Sequence, residues 1–241
     1  MKRFFRDNAL YLSGVLLVLL GMSAALIGVP KPELHLLLNG YHSPFLDEFF
    51  FRYTHFVNWL VYVLMLLPLL CWKQGWTAVF AATEAASALV IQGLKWIFNM
   101  PRPKTVFTEL GLTDSDLFAD FQRIIVSQVH MHGWHSFPSG HTATFFVFFS
   151  ICAFIYAYER WPGKSFAAIV CLLLALLGGY SRIYLSQHFL MDVCAGMTEG
   201  TLMSVIVFGL FESKGWTEKP WFKRNLTKIF AEKFGQLRKK Q

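Results

Sequence analysis

Residues 181–192, SRIYLSQHFLMD, place an arginine, a histidine and an aspartate between two long apolar runs. His188 and Asp192 are four residues apart, so a helical segment would bring both side chains to one face, one turn apart. Asp192 would then accept a hydrogen bond from one ring nitrogen of His188, leaving the other as a base or nucleophile. Arg182 adds a permanent cation whose planar fork suits a phosphate or carboxylate. The alternative is an interfacial anchor, in which Arg182 and His188 reach towards water and Asp192 starts a helix.

Two further segments carry polar side chains at the ends of apolar runs. Ser139, Gly140 and His141 directly precede one such run. A helix that begins there would offer free backbone N–H groups and a dipole that attracts anions. Lys95 and Arg102 lie at the end of another apolar run and add two cations. Three cations, a helix N-terminus and two histidines suit the binding and transfer of a phosphoryl group.

Together, the three segments resemble a known family, the type 2 phosphatidic acid phosphatases, which are membrane relatives of vanadium haloperoxidases and bacterial acid phosphatases. The pattern of that family is K-x6-RP, then PSGH, then SR-x5-H-x3-D. Residues 95–103, 138–141 and 181–192 match it in this order, and no motif position departs from it. The three motifs span less than half of the chain.

The resemblance implies a role for each motif residue. His188 would attack phosphorus and form a phosphohistidine, with Asp192 stabilising its ring, while His141 would protonate the leaving oxygen and later activate water. The residues that would bind the phosphate oxygens are Lys95, Arg102, Ser139, Gly140 and Arg182. With three fixed cations present, neither a metal ion nor another cofactor is expected.

The implied substrate is an amphiphile, because the motifs lie at the ends of apolar segments. Polyprenyl diphosphate, phosphatidylglycerol phosphate, phosphatidic acid and lipid A phosphates all fit, and the sequence does not choose among them. The alternative is a non-enzymatic six-span transporter for an anion or a lipid. It explains the cations and the intramembrane Glu84 and Glu199, but not the pairing of His188 with Asp192. Membrane lipids are expected partners and nucleic acid is not, whereas the oligomeric state is left open.

The composition is typical of an all-α membrane protein. Hydrophobic residues make up 55% of the 241 residues and charged residues 15%, and the apolar residues cluster in runs long enough to cross a bilayer. We expect one domain, residues 1–241, with six membrane-spanning helices in a single bundle. Their expected bounds are 9–29, 57–71, 77–98, 141–158, 165–180 and 189–211. We interpret the first run as an uncleaved span, because it is longer than the core of a signal peptide.

The longest polar connector lies between residues 99 and 139. From Asp116 onwards its apolar residues recur at helical spacing, which predicts a short amphipathic helix on the extracytoplasmic membrane surface, beside the motifs. His130, His132 and His135 follow at spacings that could suit a metal ion. No carboxylate or cysteine accompanies them, so a polar loop near the site is the preferred interpretation.

The distribution of charge predicts the topology. Of the 22 lysines and arginines, fifteen lie in the N-terminal segment, in two short turns and in the basic tail 212–241. The positive-inside rule therefore puts both termini in the cytoplasm. With six spans, all three motifs then fall on the outer side. We expect a protein of the cell (inner) membrane whose site faces the periplasm or the outside.

Overall fold

The computed structural model describes residues 2–55, 59–109 and 116–227, so residues 228–241 of the predicted tail lie outside it. Within these ranges the regular structure is helical, which confirms the predicted all-α class. In chain order, the α-helices of the described ranges are α1 (Lys2–Asp7), α2 (Ala9–Gly28), α3 (Lys31–Leu38), α4 (Pro44–Thr54), α5 (Trp59–Trp72), α6 (Gln74–Phe98), α7 (Pro103–Thr108), α8 (Asp116–Arg123), α9 (Gly140–Tyr158), α10 (Lys164–Tyr184), α11 (Leu190–Ser213) and α12 (Pro220–Lys223).

Five of the described helices are long and apolar enough to cross a bilayer, namely α2, α6, α9, α10 and α11. The predicted second span, 57–71, corresponds to α5, which has 14 residues. A membrane-spanning helix needs about 17–25 residues, and residues 56–58, which precede α5, lie outside the described part of the chain. The second of the six predicted spans therefore stays a prediction.

The helix boundaries differ from the prediction where the third motif lies. α10 continues past residue 180 and includes Arg182 in its last turn. α11 begins only after His188, so His188 and Asp192 do not lie in one continuous helix. The prediction from their spacing, that both belong to one helical segment, is therefore wrong. Asp192 lies in the first turn of α11, and its Oδ2 accepts a hydrogen bond from the Phe189 N–H at 2.9 Å. This is the reciprocal contact of a capping box.

The packing of α9 against α11 joins the second and third motifs. A Cβ added to Gly196 would lie 2.4 Å from the backbone oxygen of Ser139, and one added to Gly200 would lie 2.3 Å from that of Ala143. Only glycine allows the two backbones to approach so closely. At this crossing the Ser139 N–H donates to the backbone oxygen of Asp192 at 2.9 Å. The two motifs are therefore held together by main-chain contacts.

Carboxylates connect α6 to other parts of the bundle at two levels. Glu199 of α11 is buried and accepts a hydrogen bond from the Ser87 hydroxyl of α6 at 2.6 Å. It therefore faces the bundle interior, whereas Glu84 on α6 is half-buried. Near the start of α6, Lys73 pairs with Glu159 at 2.6 Å.

The helix predicted from Asp116 is present as α8. Phe121 of α8 is buried and stacks on Phe107 of α7, with ring centroids 4.3 Å apart. Residues 110–115, which precede α8, lie outside the described residues. α8 thus packs on its neighbours, and its position on a membrane surface stays a prediction.

Candidate active site

A cavity of about 300 Å³ opens where the motif-bearing ends of the helices meet. Five of the predicted site residues line it: Lys95, Arg102, His141, Arg182 and His188. They come from the end of α6, the segment after it, the start of α9, the end of α10 and the loop before α11. The tertiary structure thus brings all three motifs to one place, while the catalytic role of each residue stays a prediction.

Both arginines of the cavity are buried and held by neutral acceptors. Arg102 donates from Nε to the backbone oxygen of Trp134 at 3.0 Å and from Nη1 to Gln187 Oε1 at 3.1 Å. Arg182 donates from Nη1 to the Thr54 hydroxyl. Within the described residues, no carboxylate forms an ion pair with either guanidinium. No ion pair within the described residues therefore neutralises these two cations, and both line the cavity.

Lys95 supplies the third cation, close to the start of α9. A Cβ added to Gly140 would lie 3.9 Å from Lys95 Nζ, so the ammonium group lies beside the first residue of that helix. Three positive charges around one part-buried space repel each other. A multiply charged anion such as a phosphate ester would relieve that repulsion.

Ser136 lies between His188 and Asp192. The Nδ1 atom of His188 is 3.6 Å from Asp192 Oδ2, which is longer than a hydrogen bond. The Ser136 hydroxyl donates to Asp192 Oδ2 at 2.6 Å and lies 3.5 Å from His188 Nδ1. All three side chains are buried. The expected pair is thus a cluster of three residues, and no spacing rule in the sequence had singled out the serine.

His188 has the protonation state that a nucleophile needs. Burial lowers the pKa of His188 to about 3, although the negative charge of Asp192 acts in the opposite direction. The ring is therefore uncharged at neutral pH. Because Nδ1 faces the carboxylate, the single proton belongs on Nδ1, which leaves the lone pair on Nε2. Attack on phosphorus requires such a lone pair on a residue that lines the cavity, as His188 does.

The residues of the PSGH motif divide between the cavity and the helix start. His141, in the first turn of α9, lines the cavity. Ser139 is the N-cap of α9, where its buried hydroxyl oxygen accepts from Thr142 N at 3.4 Å and from Thr142 Oγ1 at 2.8 Å. Neither Ser139 nor Gly140 belongs to the cavity wall. The structure thus gives Ser139 a capping contact, and its predicted contact with phosphate stays a prediction.

The three connector histidines do not converge on one point. His130 and His132 line the cavity with ring centroids 4.9 Å apart, whereas His135 Nδ1 faces the backbone oxygen of Lys95 at 3.3 Å. Burial and the nearby Arg102 lower the pKa of His132. Among the described residues, no group of three His, Cys, Asp or Glu side chains is placed to hold a metal ion.

Residues outside the three motifs complete the site. Gln187 accepts from Arg102 and donates from Nε2 to the backbone oxygen of His130 at 3.2 Å, which attaches the connector to the loop before α11. From α4, Phe51 and Thr54 form part of the cavity wall. Nothing in their spacing relates them to the motifs, because their positions depend on how α4 packs against α10.

Comparison with known proteins identifies the family. The sequence profile of the PAP2 superfamily matches residues 76–216. The chain belongs to the PAP2 superfamily. This PAP2 protein is 25% identical over 183 residues to the lipid A 4'-phosphatase of Porphyromonas gingivalis. The aligned region covers 74% of this chain and 72% of that protein.

Two solved structures share its fold. The crystal structure of Aquifex aeolicus LpxE matches with a TM-score of 0.57 and 26% identity, over 73% of this chain and 93% of that one. The second is the first transmembrane PAP2 type phosphatidylglycerolphosphate phosphatase from Bacillus subtilis. It matches with a TM-score of 0.60 and 23% identity, over 83% of this chain and 96% of that one. The second likeness is one of fold alone.

Family membership confirms the resemblance seen in the motifs, and with it the prediction of a membrane phosphoric ester hydrolase. It favours an enzyme over the non-enzymatic transporter. The profile match begins at residue 76, so α1 to α5 lie outside the matched region.

Proposed function

We propose that this PAP2 protein removes phosphate from an amphiphilic phosphomonoester or diphosphate through a phosphohistidine on His188. The observation that carries the proposal is the single cavity in which three cations and two histidines of the motifs meet. No ion pair within the described residues neutralises those cations. A phosphate ester would supply the missing negative charge, and a neutral imidazole is ready to attack it.

In the first step, His188 Nε2 attacks phosphorus while the bond from phosphorus to the lipid oxygen breaks. His141 donates a proton to that oxygen, which leaves as an alcohol or, from a diphosphate, as a phosphate monoester. In the second step, His141 takes a proton from water, the resulting hydroxide attacks phosphorus and the P–N bond breaks. Lys95, Arg102 and Arg182 stabilise the charge on the phosphoryl oxygens in both steps.

The substrate class follows from the size and position of the cavity. About 300 Å³ is at the lower end of small-ligand pockets and gives room for part of a headgroup beside the phosphate. His55, His130 and His132 line the same cavity and offer hydrogen-bonding groups to that headgroup. Relatives named for lipid A and for phosphatidylglycerol phosphate act on substrates of this general kind. We therefore propose a lipid phosphate with a polar headgroup.

The proposed orientation puts the site at the outer face, with both termini in the cytoplasm. At the opposite end of the bundle, Arg3, Arg6, Arg160 and Lys164 line a second cavity. That concentration of cations supports a cytoplasmic location for that end. In this arrangement the second of the six spans would lie over residues 57–71, as the sequence predicts.

A phosphate-release assay tests the proposed function. Detergent-purified protein is incubated with phosphatidic acid, phosphatidylglycerol phosphate, a polyprenyl diphosphate and lipid A, and inorganic phosphate is measured. We expect release from at least one substrate by the wild type and none above background by His188→Ala. Release by neither protein from any substrate, or equal release by both, would contradict the proposal.

A further inference from the structure

The loop of residues 185–189, which joins α10 to α11 and carries His188, contains a strained turn. Ser186 has a φ of +50°, in the left-handed region that residues other than glycine rarely adopt. The N–H groups of Gln187 and His188 both donate to the backbone oxygen of Arg182, at 3.0 and 3.1 Å. The turn thus sets His188 relative to Arg182, and whatever holds Ser186 also orients both residues.

Asn39, which lies directly after α3 and does not line the cavity, holds this turn. Its side chain is fully buried, and Nδ2 donates to the backbone oxygen of Ile183 at 3.1 Å and to Ser186 Oγ at 3.0 Å. Ile183 lies in the last turn of α10, and its backbone oxygen also accepts from the Ser186 N–H at 2.9 Å. One amide therefore caps α10 and anchors the strained serine.

His42 also contacts that amide. Because both Nδ2 hydrogens of Asn39 are used, Oδ1 is the acceptor that faces His42 Nε2 at 2.9 Å. The other ring nitrogen, Nδ1, lies 2.9 Å from Asp47 Oδ1, which also accepts from the Tyr184 hydroxyl at 2.6 Å. Each ring nitrogen of His42 thus lies within hydrogen-bond distance of a side-chain oxygen. A flipped Asn39 amide would set Oδ1 against the backbone oxygen of Ile183 and lose that hydrogen bond.

His35 completes the contacts of the serine. Its Nε2 lies 3.2 Å from Ser186 Oγ, and its ring packs against Phe189 with centroids 5.2 Å apart. The Ser186 hydroxyl is thus held between His35 and Asn39, both from the segment that follows α2. A buried polar cluster with so many partners has few alternative arrangements.

We propose that Asn39 is a positioning residue for the phosphatase reaction and acts through Ser186 on His188 and Arg182. The inference rests on the proposed function for its chemistry, but not for the contacts. Asn39 does not line the catalytic cavity, so its effect must pass through the loop. It also lies outside residues 76–216, so the segment that follows α2 contributes to catalysis from beyond the region matched by the family profile.

Kinetics of two variants test the inference. Asn39→Ala removes both donors, so His188 would sample orientations that do not lead to attack. We expect kcat to fall about 10- to 100-fold, as misplacement of a reacting group by about 1 Å does, while KM changes less than about threefold. Ser186→Ala, which removes only the hydroxyl, should lower kcat in the same way. The double variant should lose little more than Asn39→Ala alone, because both act along one path.

Tyr11→Phe is the matched control. It removes another buried hydrogen bond, between the Tyr11 hydroxyl of α2 and the Ser150 hydroxyl of α9 at 2.9 Å. Thermal unfolding in detergent should show a comparable loss of Tm for Tyr11→Phe and Asn39→Ala, with kcat retained only in Tyr11→Phe. Equal kcat in the two variants, additive losses in the double variant, or an effect confined to KM would overturn the positioning role.

Orthovanadate gives a second measurement that does not depend on the lipid substrate. Its five-coordinate form resembles the phosphoryl group in transfer and requires an aligned ring nitrogen, whereas inorganic phosphate needs only the cations. By calorimetric titration, Asn39→Ala should weaken orthovanadate binding about tenfold or more and phosphate binding less than about threefold. Equal effects on both anions would overturn the inference. If Asn39→Ala weakens orthovanadate binding selectively but the wild type hydrolyses no lipid phosphate, only the proposed substrate class is contradicted.

Discussion

Ser136 donates its hydroxyl hydrogen to Asp192 Oδ2 at 2.6 Å, a shorter separation than the 3.6 Å between Asp192 Oδ2 and His188 Nδ1. The carboxylate is therefore oriented by a serine that lies two residues before the PSGH motif. A second donor, the Phe189 N–H, reaches the same oxygen at 2.9 Å. The position of the carboxylate beside the imidazole thus depends on three segments of the chain.

Ser136→Ala should lower kcat with little change in KM. The variant removes a hydrogen bond to a charged group, which contributes roughly 1.5–3 kcal/mol. If the full amount acts in the transition state, kcat falls about 10- to 100-fold. Steady-state phosphate release over a range of lipid concentrations measures both constants. Ser204→Ala is the control, because Ser204 is also buried but bonds only to the backbone oxygen of Gly200 within α11. An equal loss of kcat in the two variants would contradict the role given to Ser136.

The two histidines of the cavity should differ in their dependence on the leaving group. His141→Ala should slow phosphoryl-enzyme formation about 10²–10⁴-fold with a lipid phosphate, whose alkoxide needs a proton. The same step with an aryl phosphate should change far less, because a nitrophenolate leaves without protonation. Rapid-quench measurement of the phenol burst tests this. An equal fall of the burst rate with both substrates would show that His141 is not the general acid.

His188→Ala should abolish activity towards both substrates, since no step can begin without the nucleophile. With His141→Ala and an aryl phosphate, phosphate should instead accumulate on His188, because water is no longer activated. Acid–base treatment of the quenched protein identifies the bond: a phosphoramidate is acid-labile and base-stable. Phosphate trapped on His188→Ala would contradict the assignment of the nucleophile.

Activity should persist after metal removal. Lys95, Arg102 and Arg182 already supply the charge that a divalent cation would provide to the phosphoryl oxygens. Excess EDTA should therefore leave most of the phosphate release intact. Loss of activity with EDTA and its recovery with zinc or magnesium would show that the pair His130 and His132, or another site, holds a catalytic ion.

Cysteine labelling tests the orientation of the bundle. Ser127, exposed in the connector after α8, and Ser213, exposed at the end of α11, lie on opposite sides in the proposed topology. In a background without the native cysteines, Ser127→Cys should react with a membrane-impermeant thiol reagent in intact spheroplasts. Ser213→Cys should react only after lysis. The reverse pattern would place the site in the cytoplasm, and labelling of both before lysis would contradict an odd number of spans between them.

Stability should fall in weak acid because His35 is buried. Burial lowers the pKa of His35 to about 3, from the ordinary histidine value of about 6.5. Between about pH 3 and pH 6.5, His35 binds a proton in the unfolded chain but not in the folded chain. The contribution of His35 to the free energy of unfolding is therefore complete above about pH 6.5 and decreases as the pH falls. For this one group, the free energy of unfolding changes by up to about 1.4 kcal/mol per pH unit. Thermal unfolding in detergent between pH 4.5 and 7.5 measures it.

His35→Leu tests the source of that slope. The variant removes the titrating ring, so its Tm should depend less on pH than that of the wild type, whatever its absolute stability. Tyr11→Phe should lower the Tm by a similar amount at every pH. A slope that is unchanged in His35→Leu would assign the acid sensitivity to other groups.

The sequence by itself determined the reaction class and most of the architecture of this protein. The three motifs carry their cations and histidines at fixed spacings, and apolar runs of bilayer length give a strong local signal. Five of the six expected spans therefore appear as helices close to their predicted bounds. α5 was harder to assess, because a short apolar helix and a full span differ little in composition.

Only the tertiary structure decided how the motif residues are held. Ser136 contacts Asp192 and Asn39 contacts Ser186, and these pairs are separated by 56 and 147 positions along the chain. No periodicity relates such residues. Their contacts depend on where α3 ends and on how closely α9 and α11 cross at Gly196. Local spacing specifies which groups can react, whereas their orientation depends on backbone contacts between distant segments, which form only when the helices have packed.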